Sequence, residues 1–552
     1  MKYESAARLA DALLRDRVVS RIWDRDISTF GAAPGSADAK SIETRLGWLD
    51  VAHSMAPDLD RIVRLGADAK AEGIRAVYLL GMGGSSLCAE VMRSVFGIAD
   101  GYPELFVLDT TDELTITGAA GRLVPDETLF LVASKSGGTV EVASMERFFW
   151  QRISKTAGDR AGRQFVAITD PGTALHTLAK SRGYREIFVN PPDIGGRFSA
   201  LSLFGLVPAA LIGASARDLH AAGAAMAEGC RQENHANAGL ELGAFIAAGV
   251  KDRRDKLTIA LSPALASLGL WIEQLVAEST GKHGTGALPV VDEPLGRPGE
   301  YGTDRAFVSI ATDFDAPDTA KLDALDAAGH PVLRLRMRAD GLGAEFFRWE
   351  FATAVAGAAL GINPFDEPNV SEAKDKPRAL LAASAGGPLR GPKPAAEDDG
   401  AKVYSRRFTG GSPAAVIRNA IDSLSAGDYV PFLSYLPADT TVAHAISVAR
   451  QAIRSRAHVA TTFGVGPRYL HSTGQYHKGG PNTALAFIVT ADDDTATEIP
   501  EAGYTFAGLK RAQALGDVET LEAHDRRTVH IHLKDGRHAA QAIEHLFAEA
   551  LG

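Results

Sequence analysis

Between Ile74 and Gly213 the chain repeats one pattern: a short, unbroken apolar run, a polar or glycine turn, then an amphipathic stretch. The runs are AVYLL (76–80), LFVLD (105–109), LFLVAS (129–134), FVAIT (165–169) and EIFVN (186–190). A strand that is apolar on successive residues is covered on both faces, and strands that alternate with helices join in parallel. The pattern therefore predicts a parallel sheet between two helical layers. LTIALS (257–262), AFVSIA (306–311) and PVLRLRM (331–337) form a second such set, which ends in the helical stretch 346–361. A third set follows in YVPFLSYLP (429–437), HVATTFGVG (458–466), ALAFIVTAD (484–492) and RRTVHIHL (526–533).

Ahead of these sets, Ala6, Leu9, Ala10, Leu13 and Leu14 recur at helical spacing. The expected organisation is a helical segment (1–55), two α/β domains (56–225 and 226–382), an Ala/Gly/Pro-rich linker (383–400) and a C-terminal α/β domain (401–552). A length of 552 residues agrees with several domains. The net charge of −10 argues against nucleic acid or an anionic membrane as partner, since both need a concentrated positive surface. The N-terminus carries charges throughout, without a signal peptide's apolar core, and no apolar run is long enough to span a bilayer. Two distant cysteines, Cys88 and Cys230, give no disulfide framework and no cysteine zinc site. A cytoplasmic protein is expected, with neither metal nor organic cofactor.

Four segments carry chemistry. In LLGMGGSSL (79–87) glycines turn the chain out of a strand, and Ser85 and Ser86 come at a helix start, where free N–H groups and the dipole favour an anion. A dinucleotide fingerprint would need a third glycine where Ser86 stands. SKSGGTVE (134–141) places Ser134, Lys135, Ser136 and Thr139 around a second helix start, an inventory suited to a phosphate monoester. Either turn alone reads equally as a hydroxyl-capped helix. Two of them, each after a parallel strand, point to a ligand at the carboxyl edge of the sheet. In GGRFSALS, Arg197 is expected at a mouth, where a guanidinium would steady a developing oxyanion; an ordinary ion pair is the alternative. Glu278 lies near the end of an apolar helix that stops at Gly281, so burial and the dipole's negative end would raise its pKa toward that of a general base. Periodicity alone does not prefer it to Glu273.

Together with NPFDEPNVSEAK (363–374), these segments resemble, in order, the phosphoglucose isomerase family, whose domains are of the sugar-isomerase (SIS) type. The likeness extends to the isomerase part of bacterial bifunctional transaldolase/phosphoglucose isomerases, which have a C-terminal region similar to 401–552; no transaldolase half is expected here. The resemblance implies three-layer αβα domains with parallel sheets and interconversion of glucose-6-phosphate and fructose-6-phosphate without a cofactor. It implies a hexose-6-phosphate as substrate and allows a homodimer. Ser85, Ser134, Lys135, Ser136, Thr139 and Gly84 would hold the phosphate. Arg197 would steady the enediolate, Glu278 would move the proton between C2 and C1, and Lys374 would assist at the ring oxygen. Glu367 stands where the family usually has Gln.

The family's ring-opening His lies between the base and the lysine, yet GEYGTDRAFVSIA (299–311) holds none. LHSTGQY (470–476) resembles the string around that residue in some bacterial isomerases, so His471 is the expected replacement, with His283, His477 and Arg305 as alternatives. A dual phosphoglucose/phosphomannose isomerase and a non-catalytic sugar-phosphate-binding regulator are the rival readings. The regulator would have no need of Glu278 and Lys374.

Overall fold

The computed structural model describes residues 2–338, 341–369, 380–381, 393–437, 439–493 and 495–552. Lys374 and residues 383–392 of the expected linker lie outside the described residues. The first sheet contains β1 (Ala76–Leu80), β2 (Glu104–Leu108), β3 (Thr128–Ala133), β4 (Phe165–Thr169) and β5 (Glu186–Val189) in the order β2-β1-β3-β4-β5, all parallel. Its apolar strands divide by the period of two: Val77, Leu79, Leu129 and Leu131 enter one core, while Tyr78, Leu80, Phe130 and Val132 enter another on the opposite face. This is the three-layer arrangement that the unbroken hydrophobic strands predict.

The second sheet, β6 (Lys256–Leu261), β7 (Leu288–Val290), β8 (Arg305–Ala311) and β9 (Val332–Arg336), is also parallel, in the order β7-β6-β8-β9. β7 has only three residues, one of them Pro289, and escapes a reading based on apolar runs. Residues of both sheets (Leu131, Val308) and of the N-terminal helices (Ala6, Trp48) share one core.

The third sheet is mixed. β10 (Ala396–Glu397) and β11 (Ala401–Tyr404) add antiparallel strands to the parallel set of β12 (Tyr429–Ser434), β13 (Ala460–Val465), β14 (Leu485–Ala491) and β15 (Arg527–Leu533). β10 falls within 383–400, so the described end of that stretch belongs to the third sheet rather than to a linker. This third unit covers the other two. Phe506 packs edge-on against Phe148, and Tyr429 and Ala460 close over Leu288 and Val290 of β7. Among the described residues, no helix is long and apolar enough to cross a membrane.

Candidate active site

The chain leaves β1 through a tight turn at Gly83–Ser85 and enters the Leu87–Phe96 helix. Gly83 has φ +53°, and a Cβ there would stand 2.4 Å from the His471 carbonyl oxygen. A Cβ on Gly84 would stand 2.1 Å from the Gly196 carbonyl oxygen. These two glycines thus let three distant segments meet: the β1 turn, the Arg197 loop and the His471 turn. Ser85 is buried, and Ser86 takes the N-cap position with its hydroxyl turned to the Gly83 carbonyl at 3.2 Å.

The second turn follows β3. Thr139 is the N-cap of the Val140–Ala157 helix but makes no side-chain capping bond; its hydroxyl meets that of Ser134 at 3.1 Å. Ser136 is exposed, and its Oγ accepts from the Gly138 N–H at 3.4 Å. Lys135 pairs with Asp170 and donates to the Pro192 carbonyl at 2.9 Å, so its charge is shared with the loops beside the turn. Hydroxyls thereby border a helix start whose first N–H groups the cap residue leaves to other acceptors.

Arg197 is not at an open mouth: only 3% of it is exposed. Its Nε donates to Ser279 at 2.7 Å, Nη2 to the carbonyls of Pro364 and Asp366 at 2.8 Å each, and Nη1 to Glu367 at 3.1 Å. That same Nη1 stands 3.6 Å from Oε1 of Glu278. An apolar loop before an apolar helix buries the guanidinium, and the carbonyls of NPFD fix its plane.

Glu278 lies in the last turn of the Leu268–Thr280 helix, capped by Gly281, and is buried. Burial pushes its carboxyl above the usual range and the negative charge of Glu367 adds to this, while Arg197 and the Gln274 amide oppose it. For Glu367 the balance reverses: burial would raise its pKa, but Arg197 and Arg45 hold it below the usual value. Lys282, beyond the same helix, donates to the carbonyls of Asn363 (2.5 Å) and Asp366 (2.6 Å) and pairs with the Asp366 carboxylate. Burial lowers it to about 8.

His471 joins this centre from the third unit. Its Nε2 is 2.9 Å from Oε1 of Glu141, and the Gln513 amide donates to the same oxygen at 2.7 Å. Gln274 Nε2 donates both to Glu278 (3.2 Å) and to the His471 carbonyl (2.7 Å). The alternatives lie elsewhere. His283 is exposed; His477 is buried against Tyr429, and burial lowers it to about 3. Arg305 is paired with Glu293 in the second unit. Glu273, the competing carboxylate, is also buried and raised to about 8 by burial and by Asp292, on a different face of the helix from the Arg197 contact.

The structure thus gathers Gly84, Arg197, Glu278, Glu367 and His471 around one helix end, all from a single chain. Glu141, Gln274 and Gln513 are functional candidates that sequence reasoning did not single out. Glu141 stands in the quoted SKSGGTVE, but nothing local to it signals a partner 330 positions away.

Fold and site together define an α/β protein with a buried carboxylate–guanidinium centre between two parallel-sheet units, next to two helix-start turns. A family model described as phosphoglucose isomerase matches residues 51–306. A probable glucose-6-phosphate isomerase of Natronomonas pharaonis is 31% identical over 402 residues, spanning 66% of this chain and 90% of the relative. A glucose-6-phosphate isomerase of Campylobacter jejuni is 27% identical, spanning 55% and 84%. Among solved structures, a hypothetical protein from Thermus thermophilus shares the fold with a TM-score of 0.60 at 23% identity, covering 69% of this chain and 97% of that one. A glucose-6-phosphate isomerase from Chlamydia trachomatis gives 0.54 at 19%, covering 70% and 88%. The chain belongs to the phosphoglucose isomerase family.

Proposed function

We propose that the chain interconverts glucose-6-phosphate and fructose-6-phosphate by proton transfer through a cis-enediolate. The observation that carries this reading is the contact between Arg197 and the raised carboxylate of Glu278, beside hydroxyl-lined helix starts, in a chain of this family. Gly84, Ser85, Ser134, Lys135, Ser136 and Thr139 hold the phosphate, whose binding energy positions C1 and C2 against the base. His471, oriented by Glu141, and Lys374 open the cyclic sugar: one takes the proton of the anomeric hydroxyl, the other protonates the ring oxygen. Glu278 then removes the C2 proton of the aldose, which the freed aldehyde acidifies, and returns it to C1. The negative charge that develops on the enediolate oxygens lies within reach of Arg197, whose donors are already fixed. Glu367, bonded to the same guanidinium, tunes that centre.

The same reading carries a cytoplasmic location and a homodimeric state as expectations. The buried, unpaired Cys88 and Cys230 fit a reducing compartment.

The test is an assay that converts fructose-6-phosphate and couples glucose-6-phosphate formation to a reporter dehydrogenase. The full chain is expected to turn over, and Glu278→Gln to lose about 10²-fold or more, the range for a general base. A fully active Glu278→Gln rejects the assignment of the base. An inactive full chain rejects the reaction.

A further inference from the structure

The carboxyl edge of the parallel strands in the third sheet borders a cavity of about 140 Å³ that shares none of the residues of the site above. Ala491 ends β14, and His530 and His532 project from β15; the Phe506–Ala523 helix closes the cavity with Lys510, Ala514 and Leu515. Crevices at this edge are where open α/β sheets bind ligands. The volume is close to that of an apolar cavity that takes one benzene ring, about 150 Å³, so it admits one six-membered ring and little more.

Its polar groups are wired in a definite order. His532 Nε2 is 3.1 Å from Asp492, which as a carboxylate can only accept, so Nε2 donates and Nδ1 is left to accept. Thr490 Oγ1 is 2.8 Å from that Nδ1 and donates to it. The same oxygen is 2.8 Å from His530 Nε2 and therefore accepts there. The remaining ring nitrogen of His530, Nδ1, becomes an acceptor in the cavity lining.

Both imidazoles are neutral: burial lowers His530 to about 3 and also lowers His532. The one lining ammonium, Lys510, is claimed by Asp112 and Asp493 at 2.9 and 2.5 Å. The histidines and Lys510 thus offer no surplus cation for a phosphate, and Arg511, the other cation of the lining, has a partner of its own. Tyr404 stacks on His530 with centroids 5.3 Å apart and planes inclined by 26°, adding an aromatic wall to the apolar floor of Ala514 and Leu515.

From this arrangement we infer that the third unit binds an uncharged, single heteroaromatic ring with N–H donors on its edge, a nucleobase of the amino-pyrimidine kind. The flat faces of such a ring suit the tyrosine and the aliphatic floor, and its amino group suits the acceptors at His530 and Asp493.

Cytosine titrated calorimetrically into the full chain, with no hexose phosphate present, is the test. Saturable binding with a Kd below about 1 mM is expected. Ala491→Leu, which fills the cavity, should weaken binding about tenfold or more and leave isomerisation and the melting temperature unchanged. Should that variant not fold, Tyr404→Ser, at the half-buried end of β11, should weaken binding in the same way. No heat up to about 5 mM cytosine, undiminished binding in the folded variants, or glucose binding where cytosine does not would each overturn the inference. Because this readout needs no turnover, its failure is separable from failure of the isomerase assay.

Discussion

Glu278 and His471 are fastened to one amide: Gln274 Nε2 donates to the carboxylate of the first at 3.2 Å and to the carbonyl of the second at 2.7 Å. A residue of the second sheet unit and one of the third are thereby held in register by a single side chain one helical turn from Glu278. A shift of about 1 Å between reacting groups costs on the order of 10²-fold in rate. Gln274→Ala is expected to lower kcat by about 10- to 100-fold, with a smaller change in KM, because its hydrogen bonds go to Glu278 and His471 and not to the hydroxyls of the phosphate turns. Steady-state kinetics on fructose-6-phosphate check this. A change confined to KM would mean that Gln274 serves binding only.

Glu367 offers a test with a definite sign. Glu278 must be ionised to take a proton, so kcat/KM should fall as pH drops through its raised pKa. Glu367→Gln removes a negative neighbour and leaves more of the Arg197 charge to Glu278; both changes lower that pKa. The acidic limb of the profile should therefore move to lower pH, by about one unit or less, since a full unit corresponds to roughly 1.4 kcal/mol. As the two carboxyls titrate as a pair, the limb should also become simpler in the variant. A limb that stays in place, or moves up, contradicts the coupling.

Glu141 orients the imidazole of His471 at 2.9 Å while Gln513 holds the same oxygen. Glu141→Gln keeps the shape but removes the anionic acceptor, which orients and steadies a histidine that gains a proton. Turnover of the cyclic substrate should drop by about 10- to 100-fold, and turnover of an open-chain analogue should be much less affected. Equal losses on both substrates would place His471 outside ring opening.

Much of this was legible in the chain. The strands at 76–80 and 165–169 begin and end where their apolar runs do, because residues buried on both faces leave no polar alternation to confuse the reading. Glu278 was a candidate by its place before Gly281 in an apolar helix, and the family resemblance, not the periodicity, set it above Glu273. What sequence could not show were relations set by packing. Arg197 was expected at a mouth because glycines precede it, yet the NPFD carbonyls, far along the chain, bury it. Glu141, in the first turn of its helix, carries no local sign of the His471 that the third unit brings to it. β7 and β10, three and two residues long, are strands only because a neighbour supplies hydrogen bonds.

Glu350 makes a prediction about stability rather than catalysis. It is fully buried in the Leu342–Leu360 helix, and burial raises its pKa well above the carboxylate range, opposed only in part by the Ala200 backbone N–H. Unfolded, the same carboxyl ionises near about 4.3. Between those two values the native state keeps a proton that the unfolded chain has released, so this group's contribution is fully present at low pH. It declines by about 1.4 kcal/mol per pH unit as pH rises toward the folded pKa. Glu350→Gln has no proton to lose and keeps nearly the same volume. Its stability relative to the parent should therefore grow from about pH 5 to pH 8, read as an upward shift of the urea midpoint at unchanged slope. A difference independent of pH would show that Glu350 is ionised in the native protein, with a counter-charge to hold it.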